Sequence, residues 1–188
     1  MVSESWTALL PSALLWALFG LIVLQRLSEL RLAKRNLQWA LGQGGRLVEE
    51  SHYWMFFALH TGWLLAWPLE AWLRGPSLDA AWWLWIAGFA VAEALRYWAI
   101  GSLGKRWNTK IVVIDGAPLI QRGPYRYVPH PNYVAVALEL ACVPLIFGAW
   151  ITALVCTLLN AVLLLGLRIP AETAAVRAAG NTSIAGHD

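Results

Sequence analysis

Charge is what this sequence has least of. Asp, Glu, Lys and Arg make up 13% of its 188 residues, while 59% are hydrophobic. A water-soluble domain carries about 25% charged residues, so the deficit argues against an ordinary soluble globule and points to a membrane protein. The net charge is only +3, and no Lys/Arg run is dense enough for a nucleic-acid footprint. The two cysteines, Cys142 and Cys156, lie in apolar segments and read as small buried hydrophobes rather than a disulfide or metal pair. There is no CxxC or HExxH, and His52, His60, His130 and His187 are scattered, so no metal site is expected. No GxGxxG motif is present, which leaves a Rossmann-type cofactor site unsupported. The only early charge is Glu4. A cleavable signal needs a positive leading segment, so the first apolar stretch is expected to stay as an anchor.

What is present is apolar length. Ser5 to Gln25 holds no charge over 21 residues, enough to span a hydrocarbon core of about 30 Å. A first transmembrane helix is expected over about 6–25. It should continue as an amphipathic helix, with Leu27, Leu30, Leu37 and Leu41 at helical spacing, until Gly42, Gly44 and Gly45 stop it. A second span is expected from about Tyr53 to Leu73, ended by Gly75-Pro76. In it His60 reads as a hydrogen-bonded packing residue. A third runs from about Ala80 to Leu103. Glu93 and Arg96, three apart on one face of it, read equally as a functional intramembrane pair or a structural pair near the membrane edge.

A polar connection follows, residues 104–131, in which Ile111–Ile114 reads either as a strand with no obvious partner or as an extended segment packed on the helices. Its end, Gln121 to Tyr133, carries three prolines and one glycine in thirteen residues, which forbids a continuous helix. Irregular backbone near a membrane persists only where protein or a water-filled cavity satisfies it, so this stretch should line a site. Leu140 to Leu167 is uncharged over 28 residues. Phe147-Gly148-Ala149-Trp150 suggests a turn, giving a hairpin of about 133–147 and 150–168; one long tilted helix is the alternative. The expected fold is an all-α integral membrane protein with about five transmembrane helices, a cytoplasmic loop and a C-terminal helical hairpin. Residues 1–180 form one domain, with 181–188 as a disordered tail.

The charges orient this arrangement. Arg26, Arg31, Lys34, Arg35 and Arg46 fall between spans one and two. Lys105, Arg106, Lys110, Arg122 and Arg126 fall on the same side, and Arg74 alone on the other. By the positive-inside rule the loop is cytoplasmic and the N-terminus outside. Trp6, Trp67, Trp72, Trp82, Trp83 and Trp150 then read as an outer interfacial belt. A hairpin of spans four and five also brings His130 and Tyr133 back to Arg168 and Glu172 at its open end. Arg168 reads alternatively as the partner of Glu172 at four-residue spacing on one helix. Glu139 reads as a hydrogen-bonding partner of Asn160 or Arg96 inside the bundle.

The segment Gly123-Pro124-Tyr125-Arg126-Tyr127-Val128-Pro129-His130-Pro131-Asn132-Tyr133, followed by Arg168 and Glu172, resembles the isoprenylcysteine carboxyl methyltransferase-like family, whose pattern is Arg-His-Pro-x-Tyr and then a Glu-Glu pair. Residues 103–109 and 116–119 are similar to its bacterial members, and the likeness covers about 95–175. Pro129 stands where the family has Arg, and Thr173 where it has the second Glu.

The resemblance implies an integral-membrane enzyme of a bacterial inner membrane that uses S-adenosylmethionine. It implies cofactor contacts at Leu119, Gly123, Tyr125, His130, Tyr133, Arg168 and Glu172. Arg126 or Arg122 would stand in for the arginine that Pro129 replaces, with Arg126 the candidate catalytic residue. Glu93, Arg96 and Glu139 would lie near a lipid-tailed acceptor entering between helices. The expected reaction is O-methylation of a lipophilic acidic acceptor such as an alkylpyrone. Methylation of a prenylated cysteine or phospholipid, and an inactive member acting as a membrane scaffold, are the alternatives. The implied partners are the acceptor and membrane lipids, with no nucleic acid and no obligate protein partner.

Overall fold

The computed structural model describes residues 2–48 and 51–182. Its first helix, α1 (Val2–Gly42), is continuous through the apolar stretch and its amphipathic extension. After it come a two-residue strand, β1 (Arg46–Leu47), then α2 (Tyr53–Leu73) and α3 (Trp82–Leu103). The polar connection holds β2 (Val112–Val113) and two 3₁₀ turns, at Gly104–Arg106 and Gly123–Arg126. The hairpin follows as α4 (Pro131–Ile146) and α5 (Trp150–Leu163). A π-helical turn at Leu164–Arg168 then leads into α6 (Ile169–Thr182). Among the described residues, read as continuous rods, there are five helices. The single-helix alternative for residues 133–168 is excluded by the turn at 147–149, where Gly148 takes φ +68°. The expected tail beyond Thr182 lies outside the described residues.

Two helical stretches, Leu10–Gly42 and Trp150–Ala179, are long and apolar enough to cross a membrane. Exposure supports a lipid setting. Trp54, Phe57, Leu65, Leu73, Trp83, Val91, Leu158, Val162 and Leu165 all point outward, while Glu29, Arg96, Glu139, Asn160 and Arg168 are buried. Apolar outside and polar inside inverts the distribution of a soluble protein.

The main core gathers Leu15, Ile22, Trp63, Trp67, Leu140, Val143 and Ile146 from α1, α2 and α4, with Phe147 from the turn after α4. Trp63 donates its indole N–H to the Leu140 carbonyl at 3.1 Å. Helices α3 and α4 approach closely because Gly88 presents no side chain; a Cβ there would lie 2.7 Å from Cys142 Sγ. Both cysteines are free and buried, as small hydrophobes should be. One expectation fails here. Trp67 is fully buried and stacked on Phe147 at 5.8 Å, so it belongs to the core rather than to an interfacial belt. Trp72, Trp82, Trp83 and Trp150 are exposed, whereas the side chain of Trp6 lies outside the described residues.

The strand Val112–Val113 has a partner that the sequence concealed. It pairs antiparallel with Arg46–Leu47, with Arg46 opposite Val113 and Leu47 opposite Val112. Val48 adds a backbone N–H to the Ile111 carbonyl at 3.0 Å. The ladder ties the polar connection to the end of α1. Ile111 and Val113 form a second small core with Ala175 and Ala179 of α6.

Candidate active site

The polar connection is pinned by side chains before it reaches the site. Asn36 of α1 donates to the carbonyls of Trp107 at 2.7 Å and Gly104 at 3.3 Å. Asn108 donates to the Ala33 carbonyl at 3.0 Å and accepts from the Lys110 N–H. Arg106 donates to the Pro118 carbonyl at 2.6 Å, and Arg122 to that of Ser102 at 2.9 Å. Sequence reading missed all four residues as anchors, because each donates to a main-chain carbonyl and such an acceptor leaves no mark on residue identity.

Gly123 is required for a packing reason. Its φ is +58°, and a Cβ there would sit 2.0 Å from Ser102 Oγ and 3.1 Å from Trp98 Nε1. Only glycine combines that conformation with that closeness, and it lets the turn carrying Pro124 and Tyr125 lie flat on α3. Tyr125 is half-buried. Burial, then the nearby Glu172 carboxylate, pushes its phenol well above the ordinary value, so it stays protonated and able to donate.

His130 precedes α4, and Pro131 opens that helix where no N–H is needed. The His130 ring stacks on Tyr133 at 5.1 Å between centroids, with the planes 13° apart. Tyr133 donates its phenol to Glu172 Oε2 at 2.5 Å and accepts from Arg168 Nε at 3.0 Å. His130 Nδ1 is 3.7 Å from the same carboxylate oxygen. Arg168 also donates to the Thr109 carbonyl at 3.1 Å, which joins the cluster to the polar connection. The hairpin therefore brings together His130, Tyr133, Arg168 and Glu172, with Tyr125 beside them. Tyr133 also lies between Arg168 and Glu172, a bridge that their four-residue spacing did not reveal.

Asn108, which precedes Thr109, helps line a cavity of about 630 Å³ between α1, the end of α3, the polar connection and α6; its lining includes none of the four cluster residues. Leu119 lines it, as do Val113, Ile120 and Val176, with Lys105, Arg106 and Arg177 adding positive charge. Val176 lies one turn beyond Glu172, so α6 presents the carboxylate and the cavity wall on the same side. Arg126, by contrast, is exposed on the second 3₁₀ turn, and Pro129 is exposed too.

Glu93, Arg96 and Glu139 are placed elsewhere. They form a buried network with Gln25, Arg26 and Glu29 of α1. Glu139 accepts from both Arg26 and Arg96. Arg26 meets Glu29 at 2.5 Å, Gln25 donates to Glu93 at 2.5 Å, and Arg96 lies 3.6 Å from both Glu29 and Glu93. Of the two expected partners of Glu139, Arg96 is right. Asn160 is not, since its buried amide makes no hydrogen bond among the described residues. These three residues are engaged with helix neighbours in a network separate from the His130–Glu172 cluster.

The cluster is polar and aromatic-walled and lies at the open end of an apolar hairpin. The model of the isoprenylcysteine carboxyl methyltransferase (ICMT) family matches residues 83–178, more than half of the chain, and the chain belongs to that family. It is also 38% identical over 163 residues to the uncharacterized protein YpbQ of Bacillus subtilis (strain 168), covering 86% of this chain and 96% of that relative. No solved structure matches.

Proposed function

We propose that this protein is an S-adenosylmethionine-dependent membrane methyltransferase that O-methylates a lipophilic acidic acceptor, an alkylpyrone being the type that fits. The observation that carries the reading is the Tyr133 phenol held between Arg168 and Glu172, with His130 stacked on it; a largely apolar cavity is walled by Val176, one turn beyond Glu172. The donor set suits an amino-acid zwitterion attached to a nucleoside. Glu172 would receive the ammonium, Arg168 would balance the carboxylate, and the cavity lined by Leu119 would take the nucleoside. When bound, the cofactor supplies an electrophilic methyl group on a sulfonium. The chain's own residues bind, align and exclude water. An anionic acceptor oxygen needs no strong base, so positioning and dehydration account for most of the acceleration. Arg126, exposed beside Tyr125, would draw the acidic head of the acceptor to the cluster.

The orientation proposed is five spans, with the N-terminus outside and the cluster at the cytoplasmic face of a bacterial inner membrane. A Lys105→Cys variant should then react with an impermeant thiol reagent only from the cytoplasmic side; labelling from outside would overturn that topology.

The decisive measurement is S-adenosylmethionine binding to folded protein in detergent, followed by mass analysis of host lipid extracts with and without the gene. Binding plus a 14-dalton gain on an acidic amphiphile is expected. The same gain on a phospholipid or prenylated peptide would change the acceptor class, and folded protein that binds no cofactor would favour a scaffold.

A further inference from the structure

The rod formed by α5 and α6 buries a stripe spaced by four: Thr152, Cys156, Asn160, Leu164 and Arg168. In a regular α-helix each four-residue step overshoots a full turn by about 40°. From Thr152 to Arg168 the overshoot would reach roughly 160°, and Arg168 would leave the face that meets α4. The π-helical turn at Leu164–Arg168 corrects this. One extra residue in a turn takes back about 100°, which leaves Arg168 roughly 60° from Thr152 instead of roughly 160°.

The cause of the π turn is visible two residues on. Ile169 donates its N–H to the Leu164 carbonyl, five residues back. Pro170 follows, without an N–H to offer residue 166. In α geometry its ring would strike that carbonyl. Widening the turn removes the collision, so a proline that would break an ordinary helix instead sits in a continuous one.

We infer that Pro170 is a positioning residue. By holding the π turn open it sets the rotation of α6 that lets Arg168 and Glu172 grip Tyr133 together. The functional half of this inference rests on the methyltransferase reading; the geometric half does not. With alanine at 170 the N–H returns, the tighter α turn becomes available, and α6 rotates by about 100°, carrying Glu172 off Tyr133. Deleting Gly166 from that variant removes the extra residue and restores the facing of α6 as a plain α-helix.

The test uses the full chain in detergent with 3-fluorotyrosine at its five tyrosines. The Tyr133 fluorine signal is assigned by Tyr133→Phe. Pro170→Ala should move that signal, and deleting Gly166 in the Pro170→Ala background should return it. Deleting Gly166 with Pro170 kept should move it as well, because the ring again meets a carbonyl. Cofactor affinity should follow, falling about tenfold in Pro170→Ala and recovering to within about threefold in the double variant. An unmoved Tyr133 signal in Pro170→Ala overturns the inference. So does a folded double variant whose signal stays displaced. If the fluorine pattern holds but the parent binds no cofactor, the positioning stands and the methyltransferase reading falls.

Discussion

Two buried polar clusters sit in this bundle, and they are built on opposite plans. The Arg26–Glu29–Glu93–Arg96–Glu139 network is closed. Its charges come from three helices and answer one another, and Arg96 is only 2% exposed. The His130–Tyr133–Arg168–Glu172 cluster is open. The side chains of His130 and Glu172 keep 27% and 33% of their exposure, a cavity is walled by Val176 one turn beyond Glu172, and backbone from the polar connection supplies part of the wall. A closed set of charges in a low-dielectric interior holds helices in register. An open one keeps its carboxylate within reach of an incoming cation.

Removing one member of the closed network should have the largest effect. Arg96→Met leaves Glu139 and Glu29 short of a partner, and the loss should be about 3–5 kcal/mol, read as a collapse of the thermal transition in detergent. Adding Glu139→Leu to it should recover most of that. If the single variant melted normally, the network would not be the lock described. Next in size is Gly123→Ala. It combines a positive φ with a clash on Ser102, so it should destabilise by roughly 2 kcal/mol and raise hydrogen exchange at Tyr125–Val128. Glu172→Gln probes the open cluster. It should weaken cofactor binding about tenfold while leaving stability within about 1 kcal/mol; a large stability loss with unchanged affinity would reclassify the cluster as structural. Smallest of all should be Arg74→Ala. Arg74 meets Glu70 at 3.0 Å, but its side chain is 41% exposed, and such pairs contribute about 0–1 kcal/mol. Glu70 keeps its stronger role regardless, accepting from the Ile151 and Thr152 N–H groups and the Thr152 hydroxyl at the start of α5.

Legibility in the sequence followed physical locality. Helix ends were readable because Gly42, Gly75-Pro76 and Phe147-Gly148 announce them in the residues themselves. The open cluster was readable because two helices joined by a short turn must bring their far ends together, whatever lies between. Of the closed network Glu93 and Arg96 showed, being three apart, and Glu139 was expected to meet Arg96; Arg26 is 113 residues from Glu139, and no local pattern couples them. The ladder escaped because two-residue strands carry no alternation to detect. Trp67 was misplaced because hydropathy reports depth in a bilayer and not which way a side chain faces. The π turn ahead of Pro170 was not legible, since the relief provided by a wider turn depends on where α4 needs Arg168 to be.

The ladder between Arg46–Leu47 and Val112–Val113 has a consequence for anyone who would trim this protein. The segment that carries the family likeness begins at residue 83, yet β2 pairs with β1, which follows the first helix, and Asn36 and Arg26 of that helix reach into the segment as well. Cut loose, that segment would present a raw strand edge and leave Glu139 answered by one guanidinium instead of two. The hallmark half and the unremarked half are one indivisible fold.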